Sequence, residues 1–167
     1  SDYNGIWASC PAINWTRFVL AGLWPVAVMN SLRHKLTPVK IDYFLNAAQN
    51  SVGGRQIYYQ TEEKVIFDPF SVVGQMTSDG SISDKDAEVM REIWKGPHRE
   101  GDAAACHFFR PGVKFWNVII PIGAFYYSLI GRKPKPFIIS RNYARWVTRD
   151  PKQTFNDVTV EQVMDII

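Results

Sequence analysis

The clearest pattern of apolar and polar positions lies in the segment SDKDAEVMREIWKGP, residues 83–97. An apolar stripe at helical spacing is formed by Ala87, Met90, Ile93 and Trp94. Ser83 is a suitable N-cap, and the acidic side chains of Asp84 and Asp86 suit the positive end of a helix dipole. Gly96 and Pro97 are typical of a helix end. The pattern predicts one amphipathic helix after Ser83.

The N-terminal segment has a different pattern, in which apolar residues form short uninterrupted runs. Residues 5–10 predict a buried strand, and Pro11 predicts a turn after it. Asn14 is suited to cap an apolar helix that runs toward Met29, and Pro25 is expected to kink or divide that helix. A strand followed by a helix favours an α/β-like domain.

Three further helices are predicted from local sequence. Residues 39–50 carry apolar groups at the i, i+3, i+4 and i+7 positions of one face, namely Ile41, Phe44, Leu45 and Ala48. Residues 142–147 are compatible with a short helix. Thr159 and Gln162 have the spacing of a capping box for a last helix toward Ile167. Residues 97–112 are loop-like, so the second part of the chain is expected to be mainly helical and rich in loops.

Composition and charge exclude some classes of protein. With 46% hydrophobic and 21% charged residues, the 167-residue chain has the composition of a folded protein. The formal charge of +3 is interspersed along the chain, which argues against a nucleic-acid partner. Two apolar runs, 18–29 and 115–130, fall short of the roughly 20 residues of a membrane-spanning helix and contain proline. We expect no membrane span, and no signal peptide is visible in the chain.

The sequence offers no recognisable catalytic residue of its own. A serine nucleophile on a tight strand-to-helix turn usually lies in Gly-x-Ser-x-Gly, and none of the ten serines does. His34, His98 and His107 lie in basic or loop segments without an acidic residue at an informative spacing. We expect all three to be solvated or hydrogen-bonded loop histidines rather than catalytic bases.

Metal and disulfide chemistry find little support in the residue spacing. Cys106 with His98 and His107 does not match a recurrent zinc-ligand spacing. Segment 75–82 carries a calcium-like Asp-Gly pair but has Gln75 and Thr77 at the first and third ligand positions, so we expect only a turn there. Whether the chain's two cysteines, Cys10 and Cys106, form a disulfide stays open. The glycosylation sequon at Asn14 is expected to be too buried for modification.

Four segments in order resemble the tannase/feruloyl esterase family. The most specific is YNGIWASCPAINWTRFVLAGLWPVAVMN, residues 3–30, which is similar to the strand and Trp-Pro helix that follow the nucleophile helix in that family. The others are FDPFSVVGQ, residues 67–75, ISDKDAEVMREIWKGP, residues 82–97, and the stretch from PFIIS to WVTRDP, residues 136–151. The resemblance therefore spans nearly the whole chain.

The resemblance implies a piece of an α/β-hydrolase with an inserted lid. Residues 1–35 would be a strand–helix segment of the hydrolase core, and residues 36–167 a lid-like region. The family hydrolyses esters of phenolic acids with a Ser-His-Asp triad, whose serine would precede Tyr3 and whose acid and histidine would follow Ile167. The chain would therefore hold no member of the triad. Its partners would be a phenolic-ester substrate and the remainder of the hydrolase domain, in a secreted protein.

One departure from the family concerns its lid calcium. Family members have two cysteines bracketing an aspartate-rich calcium loop, and aligned without gaps the cysteine positions fall here on Gln49 and Val65. The aspartate positions fall on Asn50, Gly53 and Ile57. Since glycine and isoleucine offer no side-chain oxygen to calcium, we expect neither this metal nor its disulfide, and no other cofactor.

Two hypotheses about function follow. In the first, the chain is the lid and pocket scaffold of a carboxylic-ester hydrolase. In the second, it is a catalytically silent or degenerate binding module for aromatic ligands. The aromatic content of 14% suits a phenolic pocket and an ordinary core equally, so no substrate-binding residue is predicted.

Overall fold

A computed structural model of the chain describes Val19 and residues 22–51, 67–98 and 138–166. These residues contain five α-helices, a short 3-10 helix over Pro69–Val72, and an antiparallel pair of strands, β1 (Met76–Thr77) and β2 (Gly80–Ser81). The helices are α1 (Trp24–Ser31), α2 (Pro38–Ser51), α3 (Asp84–Lys95), α4 (Ile138–Thr148) and α5 (Val160–Ile166). In this part of the chain no helix is long and apolar enough to cross a membrane. The strand predicted over residues 5–10 lies outside the described residues, so the α/β class stays a prediction.

Helix α1 begins where the sequence predicted a break. Pro25 lies in its first turn, where a missing N–H costs no helical hydrogen bond. Immediately before it, Gly22 and Leu23 form a turn in which the Gly22 N–H donates to the Val19 carbonyl at 3.2 Å. A Cβ on Gly22 would lie 2.1 Å from the Ser140 hydroxyl of α4. The turn therefore depends on glycine for its close packing against α4.

The predicted helices over residues 39–50 and 84–95 are both confirmed. All four apolar residues of each predicted stripe are buried, Ile41, Phe44, Leu45 and Ala48 in α2 and Ala87, Met90, Ile93 and Trp94 in α3. Ser83 caps α3 in a capping box with Asp86, and Gly96 ends the helix with a φ of 77° that favours glycine. The hairpin of β1 and β2 forms the turn that was predicted in place of a calcium loop.

Helices α1, α2 and α3 enclose the main core. The Trp94 ring packs edge-on against Phe44 and Phe67, with centroid distances of 6.4 and 5.9 Å. Trp24 is 1% exposed, and its Nε1 donates to the Glu92 carbonyl at 3.1 Å. Carbonyls in the last turn of a helix lack intrahelical partners, so the Trp24 indole satisfies one end of α3 while its ring fills the core.

Helix α5 packs against both α1 and α4. Helix α4 extends over Ile138–Thr148, beyond the predicted 142–147, and the capping box of Thr159 and Gln162 at the start of α5 is confirmed. The Asn30 amide donates to two carbonyls ahead of α5, each at 3.0 Å. Helix α1 of segment 1–35 thus contacts both α3 and α5 of segment 36–167, and the proposed division at residue 35 stays a prediction.

Candidate functional site

Asp86 carries the most densely hydrogen-bonded side chain in the described part of the chain. It lies in the first turn of α3 with 1% of its surface exposed. Its Oδ2 accepts hydrogen bonds from the backbone N–H and the hydroxyl of Ser83, both at 2.8 Å. The Ser83 oxygen in turn accepts from the Asp86 N–H at 3.1 Å. A buried carboxylate is tolerable because it is paired in this way.

Two basic side chains from other segments complete the surroundings of Asp86. Lys40, in the first turns of α2, places Nζ 2.6 Å from Oδ2. His34, in the loop between α1 and α2, places Nε2 2.8 Å from Oδ1. Because an ionised carboxylate only accepts hydrogen bonds, His34 Nε2 carries a hydrogen. One carboxylate therefore fastens α2 and the preceding loop to the start of α3.

The charge state of Asp86 follows from these contacts. Burial raises the pKa of its carboxyl, but the hydrogen bonds from Lys40, His34 and Ser83 outweigh burial and lower the pKa to about 2. The side chain is therefore ionised at neutral pH. A carboxylate with so low a pKa is a poor proton acceptor, which argues for a structural rather than a general-base role.

The cluster contains a serine, a histidine and an aspartate, but its geometry is not that of a catalytic triad. In a triad the histidine lies between the serine and the acid and takes the serine's proton. Here Asp86 lies between Ser83 and His34, and the Ser83 hydroxyl donates to the carboxylate. This arrangement leaves Ser83 without a basic partner that would activate it.

His98 is held in a second polar cluster, at the end of α3. Its Nδ1 donates to the Gly96 carbonyl at 2.6 Å, and its Nε2 lies 3.6 Å from Glu92 Oε2. The ring also packs against Trp24 with a centroid distance of 5.4 Å. Glu92 is further paired with Lys95 at 2.6 Å. His98 is thus a partnered loop histidine that helps to close the end of the helix.

Several predicted positions fall beyond the described residues. These are His107, Cys10, Cys106, Asn14, Gly53, Ile57 and Val65, so the predictions made for them are not tested. Of the positions aligned with the family's calcium loop, Asn50 lies exposed near the end of α2, next to Gln49. Within residues 22–51, 67–98 and 138–166, no group of three or more His, Cys, Asp or Glu residues has the arrangement of a metal site.

An open cleft on α4 and the turn that follows it was not predicted from the sequence. It encloses about 880 Å³ and is lined by Asn142, Arg145, Trp146, Val147, Arg149 and Pro151. The Trp146 side chain is 74% exposed, and its ring lies 5.8 Å from that of Tyr143. The indication available in the sequence was a tryptophan between arginines, in RNYARWVTR.

Comparison with known proteins gives one informative likeness. Over 159 aligned residues the chain is 26% identical to a protein of Arthroderma benhamiae named "Probable feruloyl esterase". The alignment takes in 86% of this chain and 28% of that protein. The chain therefore spans little more than a quarter of the curated relative that it matches, and the low identity supports the tannase/feruloyl esterase resemblance only loosely.

The remaining comparisons add no family or fold. No protein-family profile matches the chain. No solved structure matches it either.

Proposed function

We propose that the chain is part of a carboxylic-ester hydrolase that acts on esters of phenolic acids. In this proposal the chain serves as lid and pocket scaffold, and a Ser-His-Asp triad is supplied by residues outside it. The observation that carries the proposal is the likeness to a protein named as a feruloyl esterase along 86% of the chain. A secreted location is proposed on the same resemblance.

The contacts of the described residues support a scaffolding role. Trp24 and Asp86 join separate segments of the chain through partly buried hydrogen bonds, which fix the relative positions of α1, α2 and α3. Rigid helices that hold a surface in place are what a pocket wall requires. In the Asp86 cluster the Ser83 hydroxyl donates to the carboxylate and not to His34, which supports a capping rather than a nucleophilic role for this serine.

The test is hydrolysis of methyl ferulate and methyl gallate, measured for the 167-residue chain and for the complete encoded protein. We expect only the complete protein to release acid from either ester, and the ratio of the two rates then gives its preference. A matched variant, Ser83→Ala in the complete protein, is expected to keep its turnover because Ser83 only caps α3.

Two outcomes oppose the proposal. Turnover by the 167-residue chain alone would place a nucleophile within it. Absence of turnover in the complete protein as well would favour the second hypothesis, a catalytically silent binding module for aromatic ligands.

A further inference from the structure

The cleft on α4 carries a strong local positive charge. Between Ile138 and Gln153 there are four basic residues, Arg141, Arg145, Arg149 and Lys152, and one acidic residue, Asp150, which gives a local charge of +3. Arg141 and Arg145 lie one turn apart on α4, and Arg149 follows the end of that helix in a turn, with a φ of 57°. Two of them, Arg145 and Arg149, line the cleft. This concentration of charge favours an anionic ligand.

The two arginines of the cleft are available to such a ligand. Arg145 Nε donates to the Gln153 carbonyl at 2.6 Å, which fixes the guanidinium while using one of its five N–H groups. Arg149 is exposed. Neither arginine forms an ion pair with an acidic residue in the described part of the chain. A guanidinium presents paired N–H groups that match the two oxygens of a carboxylate.

Apart from Asn142, the rest of the lining is apolar. Trp146 leaves 74% of its side chain exposed beside Arg145, and Val147 and Pro151 extend the apolar surface. An exposed indole face can stack on a planar ring. Stacking is favourable because it removes apolar surface of both rings from water. The Asn142 amide adds an NH2 donor group and a carbonyl acceptor for hydroxyl substituents.

We propose that this cleft binds an aromatic carboxylate, with the ring on Trp146 and the carboxylate on the guanidinium of Arg149, assisted by Arg145. The cleft is open to solvent and offers about 880 Å³, which is room enough for a small aromatic acid. The inference goes beyond the proposed function, because the ligand is an ionised acid and not an ester. If the proposed function holds, such an acid is the class of product that ester hydrolysis releases.

The test is isothermal titration calorimetry of the 167-residue chain with four probes. Cinnamate carries both the ring and the charge, methyl cinnamate lacks the charge, cyclohexanecarboxylate lacks the aromatic ring, and xylobiose is a neutral sugar. We expect cinnamate to bind, and we expect the affinity of each of the other three probes to be lower by about tenfold or more.

Three variants assign the binding to the cleft. Trp146→Ala and Arg149→Gln are each expected to weaken cinnamate binding about tenfold. Arg33→Gln is the matched control, since Arg33 is also an exposed arginine with positive φ, 50° against 57° for Arg149, and does not line the cleft. The Arg33→Gln variant should bind cinnamate with the same affinity as the unchanged chain.

The proposal is overturned if cinnamate gives no binding heat, if methyl cinnamate binds as tightly as cinnamate, or if Arg149→Gln leaves the affinity unchanged. Preference for xylobiose would assign the cleft to carbohydrate instead. Because binding is measured without turnover, each of these results is independent of whether the complete protein hydrolyses an ester.

Discussion

His34 Nε2 lies 2.8 Å from Asp86 Oδ1, although 52 positions separate the two residues in the chain. The contact joins the loop after α1 to the first turn of α3, where the same carboxylate also accepts from Lys40 and from the Ser83 cap. Asp86 is therefore both a local capping residue and a tertiary contact. Its removal is expected to affect more than the end of one helix.

Asp86→Asn keeps the shape of the side chain and removes its charge. We expect this change to lower the free energy of unfolding by about 3 kcal/mol, because Lys40 and His34 lose a buried anionic partner. Urea unfolding of the two proteins measures the difference. The control is Asp84→Asn, an exposed acid in the same helical turn, for which about 0.5 kcal/mol is expected from the helix dipole alone. Equal losses in both variants would refute the tertiary role of Asp86.

The low pKa of the same carboxyl group makes the stability of the fold depend on pH. Burial raises the pKa of the Asp86 carboxyl group, but the hydrogen bonds lower it by a larger amount. The pKa therefore falls from 3.8 to about 2. Because the pKa of the folded state lies below that of the unfolded state, the stabilisation is present above about pH 4 and is lost as the pH falls through about 2. The expected change is about 2 kcal/mol.

This pH dependence is measured by comparing the unfolding free energy of the unchanged chain with that of Asp86→Asn from about pH 6 down to about pH 2. The advantage of the unchanged chain should shrink as the pH falls from about 4 to 2. An advantage that stays constant over this interval contradicts the assignment of the low pKa to Asp86.

A pair of tryptophan substitutions separates buried from exposed roles. Trp24→Phe removes the donor to the Glu92 carbonyl and leaves a gap in the core, so a loss of about 2 kcal/mol is expected. Trp146→Phe is the matched change at a side chain that is 74% exposed, and it should alter stability by less than about 0.5 kcal/mol. Thermal or urea unfolding checks both values. A larger loss for Trp146→Phe than for Trp24→Phe would be incompatible with the core described above.

Gly22 and Ser140 are expected to be energetically coupled. Gly22→Ala puts a Cβ 2.1 Å from the Ser140 hydroxyl, which predicts a loss of about 1 to 3 kcal/mol by overpacking. Ser140→Ala removes a buried hydroxyl that has no hydrogen-bond partner among the described residues, and it should be neutral or slightly stabilising. The double variant should therefore recover part of the loss, as a double-mutant cycle would show. Strict additivity of the two changes would disprove the close contact.

Local sequence was enough to predict some elements and not others. The cap at Ser83 and the stripe from Ala87 to Trp94 lie within one helix, so spacing alone predicts them. The start of α4 was missed because Ile138 and Ile139 are β-branched residues that favour extended structure, while Ser140 is held by packing against Gly22. Tertiary packing overrides local preference at such a position.

The hydrogen-bond partners of His34 and Trp24 could not be predicted from the sequence either. Asp86 lies 52 positions from His34, and Glu92 lies 68 positions from Trp24. Each pairing depends on how the helices pack, which no spacing rule encodes. The α4 cleft was missed for a related reason, since an exposed tryptophan looks like a core tryptophan until its surroundings are known.

The central claim, that the chain works as the lid of an ester hydrolase whose nucleophile lies elsewhere, is tested most directly by covalent labelling. The complete encoded protein would be treated with a fluorophosphonate, which attaches to an activated serine, and the modified peptide identified by mass spectrometry. We predict one labelled serine that is not among the ten of this chain. Labelling of Ser83 or of any other serine within residues 1–167 would contradict the claim.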